Sequence, residues 1–283
     1  MIRYIKNCKF LRWPLLAICN ISLQLLNMKL PLIRRAVYDS LPIPYIVTAS
    51  DEVFVVSTLD KVIGREIFLY GQFDFDKLKS AILILLREEI SVPRHLIDVG
   101  ANIGSVVIPA VRRGYFKSAT AIEPHPENLR LLRANLALNN IHDAVAVLGV
   151  AVGNEGGVRL KLSESKHNSG NHSIGEDGLE VESICLNDLD VPLHDSLLWM
   201  DIEGYEGHAL DGASDLISAG MPFVSEFNID FIKKMGGMDY FYKAIEHRRI
   251  FDLNNDGKEI SVEELFSKEW GVGEYTDILA LRK

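Results

Sequence analysis

The chain has 283 residues, a length that allows one large domain or two small ones, either able to bury a full core. Hydrophobic residues make up 48% and charged residues 24%, which excludes a mainly disordered, collagen-like or multi-spanning membrane protein. With 30 basic and 39 acidic side chains the net charge is −9, a sign that repels polyphosphate backbones, so nucleic acid is not expected as a partner.

The charge is unevenly placed. No acidic residue precedes Asp39, whereas Arg3, Lys6, Lys9, Arg12, Lys29, Arg34 and Arg35 all do. Between Arg12 and Lys29 lie 16 uncharged residues, interrupted by Pro14, Asn20, Ser22, Gln24 and Asn27. A bilayer needs about 20 apolar residues, so no membrane-spanning helix is expected, and no small-residue cleavage site of the A-x-A kind follows. Residues 1–38 read as a basic, apolar leader that either lies on an anionic membrane surface or packs against the main domain. The expected location is the cytoplasm, with peripheral contact to the inner face of a membrane through this segment. Cys8, Cys19 and Cys185 are odd in number and lack C-x-x-C spacing, so they point to reduced thiols, not to a disulfide framework or a zinc site.

Residues 39–93 read as a lead-in to the core: 52–59 (EVFVVSTL) alternates as a strand, and 74–90 has helical spacing with a charged face. From residue 94 to 283 short apolar strands alternate with helices. Strands are expected at 96–101, 120–124, 144–152, 197–204, 223–227 and 277–282, and helices at 127–140 and 205–218, whose Leu and Ala recur at three and four residues. That alternation predicts an α/β fold, a parallel, doubly wound Rossmann-like sheet. Residues 157–189 break the pattern and read as a small β insertion near the ligand side.

Three motifs carry chemistry. In HLIDVGANIGSVVIPAVRRG (95–114) a strand enters a helix through Asp98, Gly100, Asn102 and Gly104, bringing free N–H groups to a ligand. The pattern is G-x-N-x-G, without the G-x-G-x-x-G grip of a dinucleotide pyrophosphate. Glu123 ends the next strand, where a carboxylate accepts both hydroxyls of a ribose. Asp98 sits in an apolar strand, so it needs a cation or amide donors. MDIEGYE (200–206) places Asp201 and Glu203 at the carboxyl end of a strand; strand alternation points them the same way, as a base with its orienting group or as two ligands of a hard cation. Helix capping by Glu203 and Glu206 accounts for the same residues. Glu226 ends the following strand and either faces the same cleft or reaches solvent.

DVGANIG, AIEPHPEN and WMDIEGYEGHALDGA together resemble the FkbM family of S-adenosylmethionine-dependent methyltransferases, over roughly residues 50–283. The resemblance implies a class I methyltransferase sheet, with Asp98, Gly100, Asn102 and Gly104 lining the methionine and sugar side of S-adenosylmethionine and Glu123 holding the ribose. Where the family shows Lys-Ile-Asp before E-G-Y-E, this chain has Trp199 and Met200 before Asp201, so no role of that lysine carries over. GVAVGNEGG resembles the segment after the third strand, but Gly149 and Val150 replace a polar residue, and no adenine contact is assigned from it.

The leading function is therefore methyl transfer from S-adenosylmethionine to a hydroxyl oxygen of a small or lipid-linked acceptor, a sugar, polyketide or glycolipid, with Asp201 and Glu203 as catalytic residues. The alternatives are an NAD-dependent oxidoreductase and a non-catalytic nucleoside-binding module tethered to a membrane. No metal site is assigned. Residues 252–264 place Asp252, Asn254, Asp256, Gly257 and Glu263 at calcium-loop positions, yet Glu259 stands where an apolar residue belongs, so a turn between two strands is the preferred reading. His167 and His172 read as loop histidines bordering the acceptor.

Overall fold

The computed structural model describes residues 31–283 except Lys166 and Val272. The described chain begins with helix α1 (Pro31–Ser40), a hairpin of β1 (Tyr45–Ala49) and β2 (Val53–Ser57), and helices α2 (Ile63–Tyr70) and α3 (Phe75–Arg87). The described end of the expected leader packs onto α2. Tyr38 is fully buried and its hydroxyl donates to the Asp60 carbonyl at 2.8 Å. The Arg34 guanidinium lies 4.5 Å from the Phe68 ring centre. Residues 1–30, which carry most of the membrane-surface expectation, lie outside the described residues. Among the described residues no helix is long and apolar enough to cross a membrane.

The central sheet then builds outward. β3 (His95–Val99), α4 (Val107–Arg112), β4 (Ser118–Ile122), α5 (Pro126–Leu138) and β5 (Val145–Leu148) follow in chain order, and the three strands pair in parallel. The chain leaves this sheet for β6 (Ala151–Val152), β7 (Arg159–Ser163), β8 (Ser173–Gly175) and β9 (Leu179–Ile184), a separate four-stranded sheet ordered β6-β9-β7-β8. It returns as β10 (Ser196–Met200) on the other flank of β3. Helices α6 (Glu206–Asp211) and α7 (Ser214–Ser218) lead to β11 (Phe223–Phe227). After it come α8 (Ile229–Lys234), α9 (Met238–Ile245), β12 (Arg248–Asp252), β13 (Lys258–Ile260), α10 (Val262–Ser267) and β14 (Thr276–Arg282). The strand order β13-β12-β14-β11-β10-β3-β4-β5 reverses direction between β3 and β10, and a crevice opens there at the strands' carboxyl ends.

Alternation along the strands divides the interior into two cores. Leu197 and Trp199 join Leu96, Ala119 and Val224 on the face covered by α3, α4 and α5. Leu198 and Met200 join Ile97, Val99 and Phe223 on the face covered by α6 and α9. The lead-in belongs to the first core, through Phe54, Val56, Leu78 and Leu85. Asn135 and Asn139 of α5 stand in for a partner strand: their side-chain oxygens accept from Val55 N at 2.7 Å and Val53 N at 3.0 Å, so the β2 backbone is not left unpaired.

Four expectations need correction. The strand expected at 144–152 is two strands in two sheets, parted at Gly149, where an added Cβ would lie 2.7 Å from Leu129. The helix expected at 205–218 is broken between α6 and α7. The strand at the end of the chain, β14, runs antiparallel to both neighbours, because the connection from β12 returns to the same edge of the sheet instead of crossing to the other. The hairpin strand β1 was not foreseen from the sequence.

Candidate active site

The two loops that meet at the crevice are shaped by backbone geometry. Gly100 follows β3 with φ +84°, and a Cβ there would sit 2.0 Å from the Asp201 carbonyl oxygen, so only glycine lets the β3 and β10 loops touch. Asn102 takes φ +49°, a conformation asparagine tolerates, and its Oδ1 accepts from Ile103 N at 2.8 Å. Glu203, in the other loop, takes φ +55°, strain of a kind that collects at working sites.

Glu123 lies just beyond β4 and is buried. Its Oε2 accepts from Asn102 N at 2.9 Å and its Oε1 from His125 N at 2.8 Å. Each oxygen keeps capacity for one more donor, which suits a vicinal diol. Burial raises its pKa to about 7, against the pull of the two backbone amides and the Asn128 side chain.

Asp98 and Gly104 are placed differently from expectation. Asp98 is fully buried within β3 and accepts from the Val107 N–H at the start of α4; burial raises its pKa to about 7, and its Oδ2 has no partner. It holds the loop from behind and does not line the crevice. Gly104 faces Ile108 and Leu132 in the core.

Three cavities adjoin along the crevice. The first, about 50 Å³, is walled by Gly100, Asn102, Glu123, Ala151, Asp201 and Tyr205, so residues from three of the sequence motifs converge on it. The second, about 280 Å³, is walled by Phe73, Lys77, Asp201, Glu203, Glu226 and Tyr275 among others. The third, about 490 Å³, shares Asn128, Ser169 and His172 with the first. The shared wall is the β7–β8 segment: the Ser169 carbonyl accepts from Asn102 Nδ2 at 2.8 Å and Asn128 Nδ2 at 3.0 Å, and Ser169 Oγ donates to Asp60 Oδ2 at 2.7 Å. The first cavity is smaller than a nucleoside, while its donor set (a diol-ready carboxylate, two side-chain amides and an aromatic ring) fits one. Displacing Ser169 would merge it with the third.

Asp201 and Glu203 both face the second cavity, for a reason other than the one expected. β10 ends at Met200, so strand alternation does not orient them; the turn after it does. Neither capping candidate caps α6: Glu206 Oε1 instead ties the preceding turn, accepting from Ile202 N at 3.0 Å and Gly204 N at 3.3 Å, and Glu203 makes no such bond. Burial raises the pKa of Asp201 well above its usual range and that of Glu203 to about 7, and neighbouring carboxylates push the same way. Glu226 faces this cavity too, with its pKa raised to about 10 by burial and by Asp201.

The remaining expectations resolve locally. His172 stacks on His125 at 4.0 Å and its Nδ1 accepts from Ser165 N at 2.9 Å; burial lowers its pKa to about 4. His167 is exposed, and its carbonyl accepts from Lys61 N at 2.8 Å. Asp252 ends β12 of the β12–β13 hairpin and its Oδ1 accepts from Asn254 N at 3.1 Å, the turn geometry preferred for that segment. Cys185 is a free thiol. Sequence reasoning missed Lys77 of α3 and Tyr275, just before the last strand, which line the second cavity, and Asp277 of that strand, which pairs with Lys77. It also missed Tyr205 and Asn128, although both lie inside motifs it quoted.

A strand order in which β3–β4–β5 run one way and β10–β11 the other, closed by the reversed β14, with a carboxylate after β4, defines a class I methyltransferase sheet. The profile of the methyltransferase FkbM domain matches residues 98–261, more than half of the chain. The chain belongs to that family and is an S-adenosylmethionine-dependent methyltransferase. No curated protein matches the sequence. Among solved structures, M. jannaschii TYW2 in complex with AdoMet aligns at 11% identity over 84% of this chain and 85% of that one, with a TM-score of 0.44. The M. jannaschii tRNA m1G37 methyltransferase aligns at 13% identity over 86% of this chain and 55% of that one, with a TM-score of 0.44. Precorrin-6y C5,15-methyltransferase from Geobacter metallireducens GS-15 aligns at 12% identity over 72% and 87%, with a TM-score of 0.38. Likenesses this distant say nothing about what this chain methylates.

Proposed function

We propose that the first cavity holds S-adenosylmethionine and the second holds a small acceptor whose hydroxyl oxygen receives the methyl group. The observation that carries this reading is the position of Asp201, the one carboxylate that walls both cavities. When bound, S-adenosylmethionine supplies a methyl group already activated on a sulfonium, so the protein's work is alignment and removal of the hydroxyl proton. Glu123 accepts the ribose hydroxyls, the Gly100–Asn102 turn lets backbone approach the cofactor, and Asp98 and Gly104 shape that turn from the core side. Asp201 takes the acceptor proton; its raised pKa makes it a stronger base than an exposed aspartate once ionised. Glu203, in a strained turn beside it, orients the acceptor.

A small acceptor agrees with the charge of the second cavity. Asp201, Glu203 and Glu226 would repel a phosphate backbone, which favours a polyol or amino-polyol over a nucleic acid. The test is incubation of the protein with S-adenosylmethionine labelled on the methyl carbon and a small-molecule extract, with the labelled product resolved by mass spectrometry. Label on an ether oxygen of a small product supports the reading. Label recovered in RNA, or on carbon or nitrogen, contradicts it.

A further inference from the structure

Neighbouring strands line up carboxylates across the acceptor cavity. Met200 pairs with Ser225 in parallel register, so Asp201 and Glu226 follow as neighbours one step on, and Glu226 pairs with Asp277 of β14. The chain neutralises one of these acids itself: Lys77 Nζ lies 2.7 Å from Asp277 Oδ2 and 2.9 Å from Asp74 Oδ1. No described residue does the same for the others. Among the described residues Glu226 is 9% exposed and its carboxylate has no hydrogen-bond or ion-pair partner; the half-buried Asp201 and Glu203 carboxylates have none either. A buried carboxylate left without a partner is costly unless something else completes it.

The other walls narrow what completes it. Phe73, Phe231 and Tyr275 line the same 280 Å³ cavity, and Asn168, Asn171 and Asn228 supply amide groups. Aromatic faces with carboxylates suit an organic cation, and the amides suit hydroxyls. A bare divalent ion is less suited, because no group of three or more His, Cys, Asp or Glu among the described residues is arranged to hold one.

We infer that the methyl acceptor is a cationic amino-alcohol or amino-polyol, whose ammonium is held by Glu226 and Glu203 against the aromatic wall while its hydroxyl reaches Asp201. This rests on the second cavity being the acceptor site. It gives Glu226 a role in choosing the substrate, since a neutral polyol of the same shape leaves that carboxylate uncompleted.

The test uses the full chain saturated with S-adenosylhomocysteine at about pH 7.5 and three matched pairs: serinol against glycerol, glucosamine against glucose, and ethanolamine against ethylene glycol. In at least one pair the amine is expected to bind about five-fold tighter or more, as an ammonium in an aromatic and carboxylate site should. Glu226→Gln is expected to abolish that preference, and Glu226→Asp, which keeps the charge, to retain it. A smaller ratio in all three pairs, or a preference that survives in Glu226→Gln, overturns the inference. A rise in melting temperature with magnesium that exceeds the rise with every amine and vanishes in Glu226→Gln overturns it in favour of a metal site. If S-adenosylhomocysteine gives no thermal shift while the amine preference holds, the cofactor reading fails and the ammonium site stands.

Discussion

The two sides of the crevice treat their carboxylates in opposite ways. On the β3–β4 side, Glu123 accepts two backbone amides and Asp98 accepts a third from the start of α4. On the β10–β11 side, Asp201, Glu203 and Glu226 receive no donor from the described residues. The first arrangement uses backbone amides to orient its acids, with Glu123 left lone pairs for a ligand and only Asp98 Oδ2 without a partner. The second relies on retained protons instead: without a donor among the described residues, these acids hold their protons to higher pH, and ionising them costs stability. In the proposed reading the first side cradles the cofactor and the second receives the acceptor.

Substitutions that remove one side and spare the other test this contrast. The largest effect is expected from Asp201→Asn, which keeps size and hydrogen bonding while removing the base. Turnover should fall about 10²–10⁴-fold with the fold retained, measured as labelled methyl transfer once the product is known. Full activity in that variant would end the assignment of Asp201 as base. Gly100→Ala should come next, since the added methyl meets the Asp201 backbone and the residue needs φ +84°. A loss of about 3 kcal/mol or more in urea unfolding is expected, and a near-neutral result would mean that the two loops do not touch.

A smaller effect separates the sides by pH. Burial raises Asp98, Glu123, Glu203 and Glu206 to about 7 and Glu226 to about 10. A folded-state pKa above the unfolded value, about 4.3 for Glu, means that the folded protein keeps protons the unfolded chain has lost. Stability then falls as pH rises from about 5, and the Glu226 share of the loss continues toward about 10. Glu226 is faced by Asp201, Glu203, Glu206 and Asp277, with Tyr275 nearby and Lys77 bound to Asp277, so removing its charge relieves the whole group. Glu226→Gln should raise the melting temperature by about 2–4 °C at about pH 8–9 and change it little near pH 5. A uniform shift at both values would show that the gain is packing and not charge. Calcium is expected to have the smallest effect, none, on the melting temperature, because Asp252 Oδ1 is already engaged by Asn254 N and by the Thr276 hydroxyl at 2.5 Å.

The cofactor side was legible in the sequence because its determinants are local. Gly100, Asn102 and Glu123 lie within one strand–helix–strand unit, and their spacing alone brings them together. Asp98 was legible as a buried acid but not its direction, since which face a strand residue takes is settled by the helix packed behind it. The acceptor side was half legible: Asp201, Glu203 and Glu226 stand at strand ends in the text, while Lys77 and Asp277 come from opposite ends of the domain and pair only through the fold. The reversed direction of β14 leaves no trace in DILALR, because an apolar strand reads the same either way. The division of AVAVLGVAV between two sheets depends on Leu129 lying over Gly149, a tertiary contact that no local pattern encodes.

The central claim is that cofactor grip and acceptor chemistry sit on separate sides of one crevice. Calorimetric titration of S-adenosylhomocysteine into Glu123→Ala and Asp201→Asn, beside the unaltered protein, tests it most directly. Losing the acceptor of two hydroxyls should weaken Glu123→Ala by about 10- to 100-fold, while Asp201→Asn should stay within about three-fold. Equal losses in both variants, or none in Glu123→Ala, would contradict the account.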